Sequence, residues 1–134
     1  MIPEDCFYTD HHVWIKPEED SQLVGVTEPL LRAIGPVVSL AILDADDPIM
    51  PDIPWGEVEG SRDTAQLYLS REAQILEVHD ELLWSFEKLE KDPYGEGWLI
   101  RVKLEDPPQL IQFMTVHSYR KFVADTLGKE FAND

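Results

Sequence analysis

Residues 92–100 read Asp-Pro-Tyr-Gly-Glu-Gly-Trp-Leu-Ile, and they lead into the clearest strand of the chain. Over residues 98–104 the apolar side chains alternate with the charged side chains of Arg101 and Lys103. This period of two predicts a strand with one face on a core and the other face in solvent. Ten prolines cut the chain into short pieces. We therefore predict a mainly β fold of many short strands, with helices at its edges.

Three helices are predicted at these edges. The first spans residues 27–35, with Thr27 as its N-cap and a glycine at its end. The second spans residues 80–89, where a capping aspartate precedes leucines and a phenylalanine at helical spacing. The last spans residues 119–128. The apolar run at residues 37–43 predicts, in contrast, a strand that is covered on both faces.

Composition narrows the range of functions. Eleven lysines and arginines against 27 aspartates and glutamates give a net charge of −16, which argues against binding to nucleic acid or to anionic lipid. The hydrophobic fraction of 43% is enough for one core, so we predict a single domain over residues 1–134. No apolar run is long enough to span a membrane, and the N-terminus lacks the features of a signal peptide. The expected location is the cytoplasm.

No pattern of catalytic or metal-binding residues stands out, and we therefore expect a protein that is not an enzyme. The single cysteine, Cys6, permits no internal disulfide. His11 and His12 are adjacent, so on a strand they face opposite sides and cannot bind one ion together. The acidic stretch 44–47 resembles the start of a calcium loop but lacks its glycine and its final glutamate. We expect no metal site.

Four segments resemble, in the same order, motifs of the H protein of the glycine cleavage system. Residues 8–14 (Tyr-Thr-Asp-His-His-Val-Trp) are similar to Y-[ST]-x-x-H-E-W, and residues 24–27 (Val-Gly-Val-Thr) are similar to V-G-I-T. Residues 92–100 match [DE]-P-Y-G-x-G-W-[LI]-x almost letter for letter, and residues 118–122 resemble A-Y-x-x-[FL] of the terminal helix. The resemblance covers residues 7–127. It implies a barrel-sandwich hybrid of two antiparallel sheets with helical caps.

The resemblance also implies a site at the tip of a β-hairpin. In the family a lysine there, in a motif like E-S-V-K-A, carries lipoic acid in amide linkage, and the lipoyl arm shuttles an aminomethyl group between enzymes. The family spacing places this motif on residues 59–63 (Glu-Gly-Ser-Arg-Asp), so that Arg62 occupies the lipoyl-attachment position. A guanidinium group stays protonated and is not a usable acyl acceptor, so we expect no lipoate cofactor. The recognition residues predicted around Arg62 are Glu59, Ser61 and Asp63.

Other departures from the family motifs concern the surroundings of the arm. The glutamate of H-E-W is replaced by Val13, and the family turn A-P-V-x-G becomes Leu-Ser-Arg-Glu-Ala at residues 69–73. The residues predicted to line a cleft beside the arm are Val13, Trp14 and Tyr94. The changes lie around the arm, whereas the motifs of the scaffold are retained.

The leading hypothesis is a non-lipoylated H-like protein that docks, as a monomer, on proteins of the glycine cleavage or lipoate-handling machinery. A second hypothesis is a genuine lipoyl or aminomethyl carrier that uses one of the six lysines elsewhere in the chain. A third is a degenerate copy without function. Two roles stay open for Arg62: contact with an acidic pocket of a partner, or loose pairing in solvent with Glu59 and Asp63.

Overall fold

The computed structural model describes residues 2–105 and 113–132, and these form two antiparallel sheets. The larger sheet has the strand order β1 (Phe7–Tyr8), β2 (Val13–Pro17), β3 (Gln22–Val26), β9 (Ile100–Leu104), β8 (Ala73–Val78) and β5 (Pro48–Ile49). The smaller sheet has the order β4 (Val37–Ile42), β6 (Gly56–Gly60) and β7 (Thr64–Leu67). The predicted fold class is confirmed, although the strands described do not close into a barrel.

The main hydrophobic core draws on both sheets. The apolar residues of β9 are buried while Lys103 is exposed, as the alternation predicted. From the smaller sheet, Val58 of β6 and Leu67 of β7 are both fully buried in the same core. The alternation at residues 98–104 therefore identifies the face of the larger sheet that packs on the main hydrophobic core.

The described ranges contain four α-helices beside the sheets: α1 (Glu28–Ile34), α2 (Glu87–Lys91), α3 (Val116–Thr126) and α4 (Lys129–Ala132). The hydroxyl of Thr27 accepts a hydrogen bond from the backbone N–H of Leu30, so Thr27 is the N-cap of α1 as predicted. Helix α3 ends just before Gly128, whose φ of 117° lies in the left-handed region.

Residues 80–89 do not form the single helix that their spacing predicted. A 3₁₀ turn occupies Asp80–Leu83, and α2 begins only at Glu87. The backbone N–H of His79 donates to the carbonyl of Leu99 at 2.9 Å, and the ring Nδ1 of His79 lies 2.7 Å from the carbonyl oxygen of Trp98. These contacts tie the start of the segment to the chain before β9, and Asp80 lies inside the turn rather than at its cap.

Strand β4 is not covered on both faces, contrary to the prediction from its apolar run. Val37 and Leu40 are buried, but Val38 is 53% exposed. The register of β4 with β6 shifts between Val37 and Ser39, and the exposed residues of β4 belong to the outer face of the smaller sheet. An apolar run alone does not reveal this exposure, because the exposure of β4 depends on whether another element packs on its outer face.

A second, smaller hydrophobic cluster joins the N-terminal region to α3. Tyr8, Trp14, Tyr119 and Val123 are all fully buried in it. The rings of Tyr8 and Tyr119 stack with their centroids 4.6 Å apart. The chain before β2 and the last helices thus pack together at one end of the larger sheet. In the part of the chain that the structure describes, no helix is both long enough and apolar enough to cross a membrane.

Candidate functional site

The candidate site is the hairpin formed by β6 and β7. Glu59 and Thr64 are paired in the register of the two strands, and residues 61–63 form the turn between them. The backbone N–H of Gly60 donates to the carbonyl of Asp63 at 2.8 Å, which closes the turn. The hairpin predicted from the family spacing is therefore present.

The residues predicted for recognition lie together at the exposed tip of this hairpin. They are Glu59, Ser61 and Asp63, and they are exposed together with Arg62 at the predicted attachment position. Directly below the tip, Val58 and Leu67 are fully buried. The strands of the hairpin thus belong to the core, while its turn presents polar side chains to solvent.

The backbone of the tip is hydrogen-bonded to the end of α1. The N–H of Arg62 donates to the carbonyl of Ile34 at 2.8 Å, and the N–H of Ser61 donates to the carbonyl of Pro36 at 2.9 Å. This close contact between the hairpin tip and the end of α1 requires a glycine at position 60, because a Cβ there would lie 2.2 Å from the carbonyl oxygen of Ile34. The tip is therefore fixed in place rather than projecting freely from the sheet.

The side chain of Arg62, like the backbone of the tip, is hydrogen-bonded to α1. Its Nη2 donates to the carbonyl of Arg32, in the last turn of α1, at 2.5 Å. A cation is stabilised at a helix C-terminus, where carbonyl groups lack partners within the helix. Among the described residues no carboxylate lies at ion-pair distance from Arg62, and the carboxylate of Asp63 instead accepts the N–H of Thr64. The loose pairing of Arg62 with Glu59 and Asp63 is not formed.

A groove of about 510 Å³ opens beside Arg62, between the hairpin, α1 and α4. Leu31 and Pro36 contribute apolar surface from the α1 side, and Phe131 contributes it from α4. The guanidinium of Arg32 lies 5.1 Å from the centre of the Phe131 ring. The site therefore combines a polar tip with an open groove whose walls carry apolar surface, two arginines and the carboxylates of Glu28 and Glu90.

Trp14 connects three of the sequence motifs. Its Nε1–H donates to the carbonyl of Pro93 at 3.0 Å, and a Cβ at Gly25 would come within 2.6 Å of the indole. The neighbouring Tyr94 accepts the backbone N–H of Glu28, at the start of α1, at 2.9 Å. We call Trp14, Gly25, Pro93 and Tyr94 the tryptophan junction. The motifs at residues 8–14, 24–27 and 92–100 meet there.

Val13 and Trp14 do not line a cleft, which corrects their predicted placement. Both are fully buried, Val13 in the main core and Trp14 in the second cluster. Consecutive residues of β2 point to opposite faces of the sheet, and at this position each face is covered by one of the two clusters. Tyr94 is half-buried beside α1, and a role for it in a cleft stays a prediction.

A buried polar network near the tryptophan junction was not anticipated from the sequence. The hydroxyl of Tyr119 lies 2.8 Å from Nδ1 of His12 and 2.7 Å from the hydroxyl of Thr27. Burial lowers the pKa of His12 to about 4, the charge of His11 adds to this effect, and Asp10 opposes it. His12 and Tyr119 are 107 residues apart in the chain, so no local pattern could reveal their contact.

Comparisons with known proteins agree with this architecture. The family model described as glycine cleavage H-protein matches residues 6–126. The chain belongs to the glycine cleavage H-protein family. A glycine cleavage system H protein of Rubrobacter xylanophilus is 36% identical over 110 residues, which cover 82% of this chain and 87% of that protein. Another, from Anaeromyxobacter sp. (strain K), is 32% identical over 124 residues, which cover 92% and 97%.

A solved structure shares the fold of this H-protein family member. The crystal structure of a glycine cleavage system H protein from Mycobacterium marinum matches with a TM-score of 0.77 and 27% identity, over 95% of this chain and 99% of that one. Proteins of the family are carriers rather than catalysts, in agreement with the expectation that this chain is not an enzyme.

The hairpin tip does not fit the lipoyl group that the family resemblance implies. An amide link to lipoic acid requires an amine that can lose a proton and attack an activated acyl group. The turn at residues 61–63 offers instead a hydroxyl, a guanidinium and a carboxylate. A guanidinium is not a usable acyl acceptor, and Nη2 of Arg62 is already directed at the carbonyl of Arg32. The residues of this turn therefore do not offer the amine that attachment of the arm requires.

Proposed function

We propose that this member of the glycine cleavage H-protein family is not lipoylated and acts by docking on other proteins. The observation that carries the proposal is the position of Arg62 in the turn between β6 and β7, where the family spacing expects the lipoyl lysine. The family scaffold around the turn is intact: the hairpin forms, its base is buried and its tip is hydrogen-bonded to the end of α1. The nucleophile needed for attachment is missing from it.

The distribution of the lysines supports this proposal over a carrier that uses another attachment point. Lys16 is paired with Asp5 at 3.6 Å, and the helical residues Lys88 and Lys91 are paired with glutamates. The other three lysines lie on β9, within α3 and at the start of α4. None of the six lysines occupies a turn between two paired strands, where an arm could swing freely. The carrier hypothesis therefore requires an attachment geometry unlike that of the family.

The partners we propose are proteins of the glycine cleavage or lipoate-handling machinery, met by a monomer in the cytoplasm. The net charge of −16 supports a protein partner over nucleic acid. The tip alternates in charge, with Glu59, Arg62 and Asp63 all exposed, and such a pattern favours specific orientation of a protein partner.

The proposal is tested first by the intact mass of the protein purified from its own cells, which we expect to contain no lipoyl adduct.

The second experiment is in vitro lipoylation by a ligase that acts on ordinary H proteins. We expect the wild type and Arg62→Gln to remain unmodified and Arg62→Lys to accept the lipoyl group, since the backbone that holds position 62 is unchanged. A lipoyl adduct on any native lysine would establish the carrier hypothesis instead. If folded Arg62→Lys stays unmodified, recognition by the ligase has been lost as well, and docking on lipoyl enzymes is no longer supported.

A further inference from the structure

The groove beside Arg62 has the volume of a site for a small molecule, and part of its wall is apolar. Its volume of about 510 Å³ lies within the range of roughly 300–1,000 Å³ that ligand pockets occupy. Leu31, Pro36 and Phe131 line it, and Leu31 is the most buried of the three. These walls come from α1, from the chain that follows it and from α4, so the groove is made by elements that pack on the hairpin.

Two guanidinium groups border the same groove, and backbone carbonyls fix both. Arg62 donates to the carbonyl of Arg32 at 2.5 Å, and Nη1 of Arg32 donates to the carbonyl of Glu130 at 3.2 Å. A hydrogen bond to a carbonyl orients a guanidinium without neutralising its charge. Each guanidinium also has five N–H donors in a rigid fork, so most donors of Arg62 stay available to a ligand.

Among the described residues, two carboxylates line the groove, and neither pairs with Arg62. Glu28 lies 3.5 Å from Arg32 and pairs with it. Glu90 accepts the backbone N–H of Val37 at 3.0 Å. Neither is at ion-pair distance from Arg62. In a chain of net charge −16, this end of the groove therefore presents a fixed cation next to apolar surface.

We propose that this groove binds an aliphatic monocarboxylate, with its carboxylate on the guanidinium of Arg62 and its chain along Leu31 and Phe131. A carboxylate matches the planar fork of arginine with two parallel hydrogen bonds. A single negative charge suits the site better than a polyanion, because the rest of the surface is strongly acidic. This site goes beyond the proposed docking function, and it does not depend on which proteins the chain docks on.

The test is a titration of the ¹⁵N-labelled full chain with octanoate, followed by NMR. We expect saturable shifts at the backbone amides of Gly35, Arg62 and Phe131, with a dissociation constant on the order of 1 mM, as for a shallow site with one charge-assisted contact. Hexanoate should bind at least about threefold more weakly than octanoate, because it buries fewer methylene groups. Acetate and octylammonium should cause no saturable shifts at these amides, since the first lacks the chain and the second has the wrong charge.

Matched variants separate the role of Arg62 from a general effect of charge. We expect Arg62→Gln to weaken octanoate binding about tenfold, Arg62→Lys to retain it within about threefold, and Lys103→Gln, which removes an exposed cation from β9, to leave it unchanged. The amide spectra of the variants report whether each is folded. Equal binding of octylammonium and octanoate, or binding by folded Arg62→Gln as tight as that of the wild type, would overturn the proposal. Saturable shifts confined to other parts of the chain would overturn it too.

Discussion

The hairpin tip and the tryptophan junction are both places where two parts of the backbone approach closely, but they differ in what their side chains contribute. In the tryptophan junction a buried indole fills the space, donates to the carbonyl of Pro93 and excludes a side chain at Gly25. At the hairpin tip the contact with α1 is made mainly by backbone groups, and the side chains of residues 61–63 are exposed. Family motifs are retained where side chains build the fold, whereas the tip can exchange side chains and keep its shape.

The largest effect on the free energy of unfolding is expected for Trp14→Ala, which removes the indole of the tryptophan junction. The substitution removes a fully buried indole and leaves the carbonyl of Pro93 without its donor, so we expect the free energy of unfolding to fall by about 3–5 kcal/mol. Urea unfolding monitored by circular dichroism measures it. The control is Trp84→Ala, the same change at a side chain that is 76% exposed, for which we expect a loss below about 0.5 kcal/mol. Similar losses in both variants would show that Trp14 does not organise the junction.

A smaller effect is expected at the tip when its backbone contact is disturbed. In Gly60→Ala the new methyl group meets the carbonyl oxygen of Ile34, a backbone atom that cannot rotate away, and we expect a loss of about 1–3 kcal/mol. Amide hydrogen exchange at Arg62, whose N–H donates to the same carbonyl, should become faster. Ser61→Ala is the matched control, because it changes an exposed side chain next to the contact and should alter neither quantity measurably. Unchanged exchange at Arg62 in Gly60→Ala would mean that the tip is not held by α1.

The sequence predicted the parts of this structure that depend on local patterns. The alternation at residues 98–104 identified β9, the hydroxyl of Thr27 identified the start of α1, and the family spacing located the hairpin around Arg62. Each of these follows from residues close together in the chain or from the resemblance to a known family.

The parts that the sequence did not predict depend on distant contacts. Val13 is buried because clusters cover both faces of β2, which no pattern within the strand reveals. The segment at residues 80–89 divides into a 3₁₀ turn and α2, and it follows His79, whose ring contacts the carbonyl of Trp98, 19 residues away in the chain. The guanidinium of Arg62 donates to a carbonyl 30 residues earlier rather than to the neighbouring acids. The candidate site could thus be located from sequence, but its groove and its charge balance could not.

The smallest effect expected concerns the polar network that borders the tryptophan junction, and it depends on pH. The pKa of His12 is lowered by burial to about 4, below the value of about 6.5 for an unfolded chain, so the unfolded state binds a proton more readily. The stabilisation from keeping His12 neutral is therefore fully present above pH 6.5 and is lost as the pH falls towards 4. Protonation would also place a charge beside the buried hydroxyl of Tyr119, whose hydrogen bond the neutral ring nitrogen can accept.

We expect the free energy of unfolding of the wild type, measured in urea, to fall between pH 7 and pH 4.5 by about 1–2 kcal/mol more than that of His12→Asn. The comparison with this variant removes the contribution of the many carboxylates, which titrate in both proteins. His117→Asn is the matched control, because it removes an exposed ring of α3 that lies outside the polar network. Parallel pH profiles for the wild type and His12→Asn would show that His12 titrates as it does in an unfolded chain. The polar network would then be open to water, unlike the dry packing around Trp14.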